Sequence, residues 1–108
     1  MKKINIYTPT YYRFDKTRRA IESIIDSIEQ SVNEVNLFIG DNNTKDATMI
    51  DWLMGLVRHP NVNLFLSPKN IGKGAIINHM HERTGDGCDY FISIDSDMVA
   101  DENDEYNW

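Results

Sequence analysis

Cysteine occurs once in this chain of 108 residues, at Cys88. That excludes an internal disulfide and a cysteine-based zinc site, and leaves a buried or half-buried free thiol as the expected state. Long hydrophobic runs are missing too, and no apolar stretch approaches the roughly 18–20 residues that span a bilayer. The opening Met1-Lys2-Lys3 leads into a short apolar run interrupted by Asn5, Thr8 and Pro9, too brief for a secretion-signal core. A cytoplasmic setting is therefore the expectation. Basic residues are the minority, 11 Lys and Arg against 17 Asp and Glu, and the formal net charge is −6. Nucleic-acid affinity rests on neutralising phosphates with Lys and Arg, so this balance argues against nucleic acid as a partner.

What is present suits one globular core. The hydrophobic fraction is 41% and the charged fraction 26%, both ordinary for a folded domain. Residues 1–100 carry that core pattern. Much of the acid is concentrated in Asp101-Glu102-Asn103-Asp104-Glu105, so residues 101–108 are expected to form a solvated, disordered acidic tail.

Periodicity divides the body into alternating strands and helices. Ile4-Asn5-Ile6-Tyr7-Thr8 reads as a strand stopped by Pro9. Ile21, Ile24, Ile25 and Ile28 recur at helical spacing within Lys16 to Gln30, with Asp15 as the expected N-cap. Asn36 to Gly40 is a second strand, and the turn-forming Asp41-Asn42-Asn43-Thr44 follows it. Thr44 is the expected cap of a helix striped by Met49, Leu53 and Leu56 or Val57, ending near His59 because Pro60 disfavours helical geometry before it. Val62 to Leu66 is a third strand. The loop Ser67 to Gly74 opens a helix carrying Ile76, Ile77 and Met80, and Tyr90 to Ile94 is the fourth strand. Strands separated by helices predict βαβ units and a mostly parallel sheet with helices on both faces, a Rossmann-like three-layer α/β/α sandwich.

In such sheets ligands bind outside the carboxyl ends of the strands. Every polar cluster of the chain falls at such an end: Pro9-Thr10-Tyr11, Asp41-Asn42-Asn43, Asn70 to Gly74, and Asp95-Ser96-Asp97. The last has two carboxylates spaced i, i+2 after an apolar run. Hard divalent cations take carboxylate oxygens together with substrate phosphates, so the pair reads either as a metal–phosphate clamp or as an acidic turn. Gly72-Lys73-Gly74 offers close backbone approach, a helix N-terminus and a point charge, all suited to phosphate. It equally describes a glycine turn with an exposed lysine, and it is not a Walker loop. His79 and His81, two apart on a helix, face different ways and make a poor metal pair.

Taken in order, these motifs resemble the nucleotide-binding half of the GT-A glycosyltransferases, particularly glycosyltransferase family 2. Pro9-Thr10-Tyr11-Tyr12-Arg13 is similar to the family's Pro-Thr-Tyr-Asn-Arg, and Gly40-Asp41-Asn42-Asn43-Thr44 to its Asp-Asp-Gly-Ser-Thr. Asn70-Ile71-Gly72-Lys73-Gly74, with the later Asn78, resembles its Asn-x-Gly segment, and Asp95-Ser96-Asp97 its Asp-x-Asp. The chain departs from the family at Tyr12, at Gly40 (usually acidic) and at Ile77 (often Arg).

The resemblance implies binding of a nucleotide-diphosphate sugar, with a UDP-sugar favoured over a GDP-sugar, and with Mn²⁺ or Mg²⁺. Pro9, Thr10, Tyr11, Asp41, Asn70, Gly72, Lys73 and Asp95 would form the nucleotide side. In that scheme Asp41 receives a base N–H, Pro9 and Tyr11 line the base pocket, and Lys73 meets the diphosphate. Asp97 would bind the metal directly, with Asp95 on the ribose or on a metal-bound water. It also implies inverting transfer to an acceptor hydroxyl, with the acceptor itself unspecified. The acceptor-binding portion and catalytic base of the family normally follow the Asp-x-Asp, and neither Glu102 nor Glu105 is a convincing base. The expectation is a donor-binding half completed by a C-terminal portion or a second chain. The alternatives are a non-catalytic nucleotide-binding or assembly module, and a nucleotidyltransferase-like enzyme.

Overall fold

A computed structural model describes residues 1–95 of the protein. The elements run β1 (Lys3–Thr10), α1 (Phe14–Gln30), β2 (Glu34–Asp41), α2 (Ala47–Leu56), β3 (Val62–Leu66), α3 (Lys73–Thr84) and β4 (Tyr90–Ser93). The four strands form one sheet in the order β3-β2-β1-β4, and every neighbouring pair is parallel. This is the expected Rossmann-like α/β fold. The expected acidic tail at 101–108 lies outside the described residues.

Strand order explains where the helices go. The chain steps from β1 to β2 to β3 in one direction, then crosses back to place β4 on the other flank of β1. Right-handed crossovers in opposite directions put their helices on opposite faces. Thus α1 and α2 cover one face, where Ile21, Ile24 and Ile28 of α1 and Met49 and Leu53 of α2 close on Ile6, Leu37 and Ile39. Burying a side chain of that size contributes about 1.5–3 kcal/mol. Phe14 and Trp52 meet at 5.5 Å between ring centroids and seal the edge of this core.

The second face is covered by α3 and is more polar. Asn5 Nδ2 donates to the Tyr7 hydroxyl at 3.0 Å and to the Thr84 carbonyl at 3.1 Å. The Thr84 hydroxyl donates to Met80 O at 2.7 Å, so the 2.8 Å contact between Tyr7 and Thr84 has the tyrosine as donor. These bonds pin the end of α3 to β1. His79 meets Phe65 and His81 meets Phe91 in tilted ring contacts, with centroids 4.7 and 4.3 Å apart, so the two histidines lie against different neighbours. Gly40 faces α3 directly. A Cβ there would lie 2.8 Å from Met80 Cε and 2.9 Å from Ile76 Cγ1, which accounts for the missing side chain at a position where the resembling family is usually acidic.

Three local details differ from the sequence reading. The first strand continues through Pro9 to Thr10. The first helix begins at Phe14, and its N-cap is Arg13 in a left-handed conformation rather than Asp15. The second helix is capped by Asp46, whose carboxylate accepts from the N–H groups of Thr48 and Met49, and it ends at Leu56, short of His59. Thr44 is committed elsewhere, to the rim.

Candidate functional site

Proline decides where the sheet opens. Toward β4, the carbonyls of Lys3 and Tyr7 accept from Asp89 and Ile94, so the odd-numbered residues of β1 face β4. Thr10 faces β2, its carbonyl accepting from Asn42 at 2.9 Å. The next odd residue is Pro9, which has no N–H to offer β4. The β1–β4 ladder accordingly ends at Tyr7 and Ser93, and the strands part at their carboxyl ends. This gap is also where strand order reverses, the place where open α/β sheets bind ligands.

A cavity of about 230 Å³ lies at that split, lined by Pro9, Thr10, Tyr11, Arg13, Asn42, Lys73 and Asp95. It brings together residues from the ends of β1, β2 and β4 and the start of α3. Lys73 Nζ donates to Asp95 Oδ2 at 2.6 Å across it, with the lysine side chain 57% and the aspartate side chain 25% exposed. Arg13 adds a second cation to the lining. Asp95 is the acidic residue of the lining among the described residues. Another cavity, of about 180 Å³, lies between α3 and β3 against Phe38, Phe65, His79 and Met80; its wall is mostly aromatic and apolar, and it stands apart from the rim.

The corner after β1 is strained. Tyr12 and Arg13 both have positive φ, 55° and 52°, a conformation costing non-glycine residues about 1–2 kcal/mol each. Several bonds hold it. The Tyr12 N–H donates to Thr44 Oγ1 at 3.0 Å, and Thr17 Oγ1 donates to the Tyr12 carbonyl at 3.3 Å. The Tyr12 hydroxyl accepts from the Lys45 N–H at 3.1 Å, and the Tyr12 ring meets Tyr11 edge-on at 4.7 Å. Tyr11 itself remains 48% exposed at the cavity mouth.

Of the residues expected to bind nucleotide, the structure gathers Pro9, Thr10, Tyr11, Lys73 and Asp95 around the cavity. Asp41 sits behind the wall, 1% exposed. Its Oδ1 accepts from the hydroxyls of Thr10 (2.7 Å) and Thr44 (2.8 Å), and its Oδ2 from the Thr44 N–H (2.8 Å). Asn70 shapes the loop, its Oδ1 accepting from Gly72 N at 2.9 Å. Gly72 has φ 85° and ψ 159°, a region open essentially to glycine alone. Asp97 lies outside the described residues. Arg13 and Asn42 are the lining residues that the sequence reading did not select. Arg13 closes the segment Pro9-Thr10-Tyr11-Tyr12-Arg13, and the left-handed corner brings it to the cavity. Asn42 is buried, and its Oδ1 accepts from Ile71 N at 3.1 Å, joining the second rim cluster to the third.

Among the described residues no group of three His, Cys, Asp or Glu side chains assembles to hold a metal ion. The donor chemistry nevertheless fits a hard divalent cation shared with phosphate. Asp95 supplies one carboxylate to the lining, and such cations commonly take one or two carboxylates plus substrate oxygens.

The fold and this rim define a Rossmann-like α/β domain with a polar, two-cation cleft at its topological switch point. Among solved structures it is similar to the mannosyltransferase PcManGT from Pyrobaculum calidifontis, determined in complex with GDP-Man and Mn²⁺, with a TM-score of 0.71 and 17% sequence identity. The match covers 89% of this chain and 28% of that one, so the chain spans under a third of its neighbour's length. No protein-family model and no curated protein matches the chain. At that identity the likeness shows the fold alone, a Rossmann-like α/β arrangement shared with that enzyme. No helix among the described residues is long and apolar enough to cross a membrane.

Proposed function

We propose that this chain is the donor side of a cytoplasmic glycosyltransferase, binding a nucleotide-diphosphate sugar in the cleft between β1 and β4, with a UDP-sugar as first choice and a GDP-sugar as second. The observation that carries this reading is the convergence of Arg13, Lys73 and Asp95 on a cavity at the switch point of the sheet. A diphosphate is bidentate and anionic. A guanidinium matches its geometry, and an ammonium adds a point charge. The exposed face of Tyr11 offers a stacking surface for the base. Asp41, with its oxygens committed to Thr10 and Thr44, serves by fixing the rim. The fold shared with a GDP-Man-binding mannosyltransferase supports the same assignment.

Asp95, and Asp97 from the same motif, would hold Mn²⁺ or Mg²⁺. When bound, the ion supplies Lewis-acid stabilisation of the departing nucleoside diphosphate. Inverting transfer also needs a base positioned on an acceptor hydroxyl. In this reading the base and the acceptor contacts come from polypeptide outside the described residues.

Titration calorimetry with UDP and GDP, with and without Mn²⁺, tests the proposal. Metal-dependent binding that is lost in Asp95→Asn and Asp97→Ala is the expected result. A folded sample that binds neither nucleotide would sink it and leave an assembly module.

A further inference from the structure

Lys73 and Asp95 are both required by the proposed donor site, yet they pair with each other at 2.6 Å. We propose, on the basis of that donor reading, that Lys73 exchanges partners: it pairs with Asp95 until the donor arrives and then moves to the diphosphate. Three features of the chain favour the exchange. Lys73 is the first residue of α3, on a flexible four-carbon stem, and more than half of its side chain is exposed. A lysine ammonium is a rotatable point charge with no fixed fork to realign. Gly72 before it and Gly74 after it carry no side chains, and among the described residues nothing lies within 4 Å of a Cβ at either position, so neither flanking residue crowds the first turn of α3. Arg13 lines the same cavity and gives the incoming anion a first cation to meet.

The consequence is coupled loading. While Lys73 sits on Asp95, a divalent cation entering alone meets a positive charge and a carboxylate already in use. Donor binding draws the ammonium away and releases the carboxylate. By linkage, the factor by which the nucleotide raises cation affinity equals the factor by which the cation raises nucleotide affinity. Lys73 is thus both a diphosphate ligand and a guard against premature cation binding.

Two effects of opposite sign separate this from a plain phosphate contact. In Lys73→Met, Mn²⁺ alone, followed by the loss of the free-ion paramagnetic signal, should bind roughly two- to fivefold more tightly than in the natural sequence, the scale of a partly exposed ion pair. The Asp95→Asn protein measures the Mn²⁺ held by other acids and is subtracted. In the same Lys73→Met protein, UDP or GDP in the presence of Mn²⁺ should bind about tenfold more weakly. Lys73→Arg should leave Mn²⁺ affinity close to the original, because the charge remains. Unchanged or weaker Mn²⁺ binding by Lys73→Met, in a protein whose natural sequence binds nucleotide, overturns the exchange and leaves the donor reading standing. A natural sequence that binds neither nucleotide in the presence of Mn²⁺ overturns both.

Discussion

Thr10 Oγ1 donates to Asp41 Oδ1 at 2.7 Å, and these two residues are also paired in register across β1 and β2. The last rung of the two central strands is therefore closed twice, by the backbone ladder and by the side chains. Thr44 extends the closure, giving Asp41 both its N–H and its hydroxyl while accepting from Tyr12 N. A buried carboxylate needs such donors, since an ionised group without them is costly to desolvate.

Thr44→Val keeps the shape and removes both roles of the hydroxyl. It should lower stability by about 2–4 kcal/mol, since hydrogen bonds to charged groups contribute about 1.5–3 kcal/mol. Thr10→Val removes one bond and should cost less, about 1.5–3 kcal/mol on the same scale. Urea unfolding with unchanged m-values checks the pair. If the two variants cost equally little, Asp41 is not the anchor of this rim.

Arg13→Gly should separate stability from binding. The left-handed φ of 52° suits glycine, and glycine is also acceptable at a helix N-cap. The variant should therefore be as stable as the original or more stable by about 1 kcal/mol. Its affinity for UDP or GDP should fall about tenfold with the loss of a charged contact. A variant that loses stability and keeps its affinity would show that Arg13 serves the corner and not the ligand.

The coarse architecture was legible because hydrophobic period reports burial. Val62 to Leu66 was delimited as the structure has it, and the strand–helix alternation made a parallel sheet the natural packing. Residues that bind backbone at a distance were not legible. Thr44 looks like a helix cap from its neighbours, yet Tyr12 and Asp41 claim it, and Asp46 takes over the cap. Pro9 suggested a strand end; it does end the ladder, but only toward β4, which depends on strand order. Gathering the four polar clusters at one edge needed only the parallel sheet. That Asp41 stands behind the cavity wall while Arg13 stands in it depends on the left-handed turn at Tyr12, for which the sequence carries no glycine to give notice.

The two glycines flanking Lys73 look alike in sequence and differ in the fold. Gly72 sits at φ 85°, ψ 159°, with open space around it among the described residues. Gly72→Ala therefore meets no clash, and its cost of about 1–3 kcal/mol comes from the backbone conformation alone. Because Gly72 is the residue from which α3 starts, the same change should shift Lys73 and weaken nucleotide binding. Gly74 lies inside α3 and also has open space around it among the described residues, so Gly74→Ala should gain about 0.5–1 kcal/mol from helix propensity. Thermal melting and UDP titration of both variants give a two-way readout. If Gly74→Ala gains stability yet loses affinity, the ligand approaches the backbone of the first turn of α3 closely enough to meet a methyl group. If it gains stability at unchanged affinity, the diphosphate is held by side chains, with Lys73 foremost.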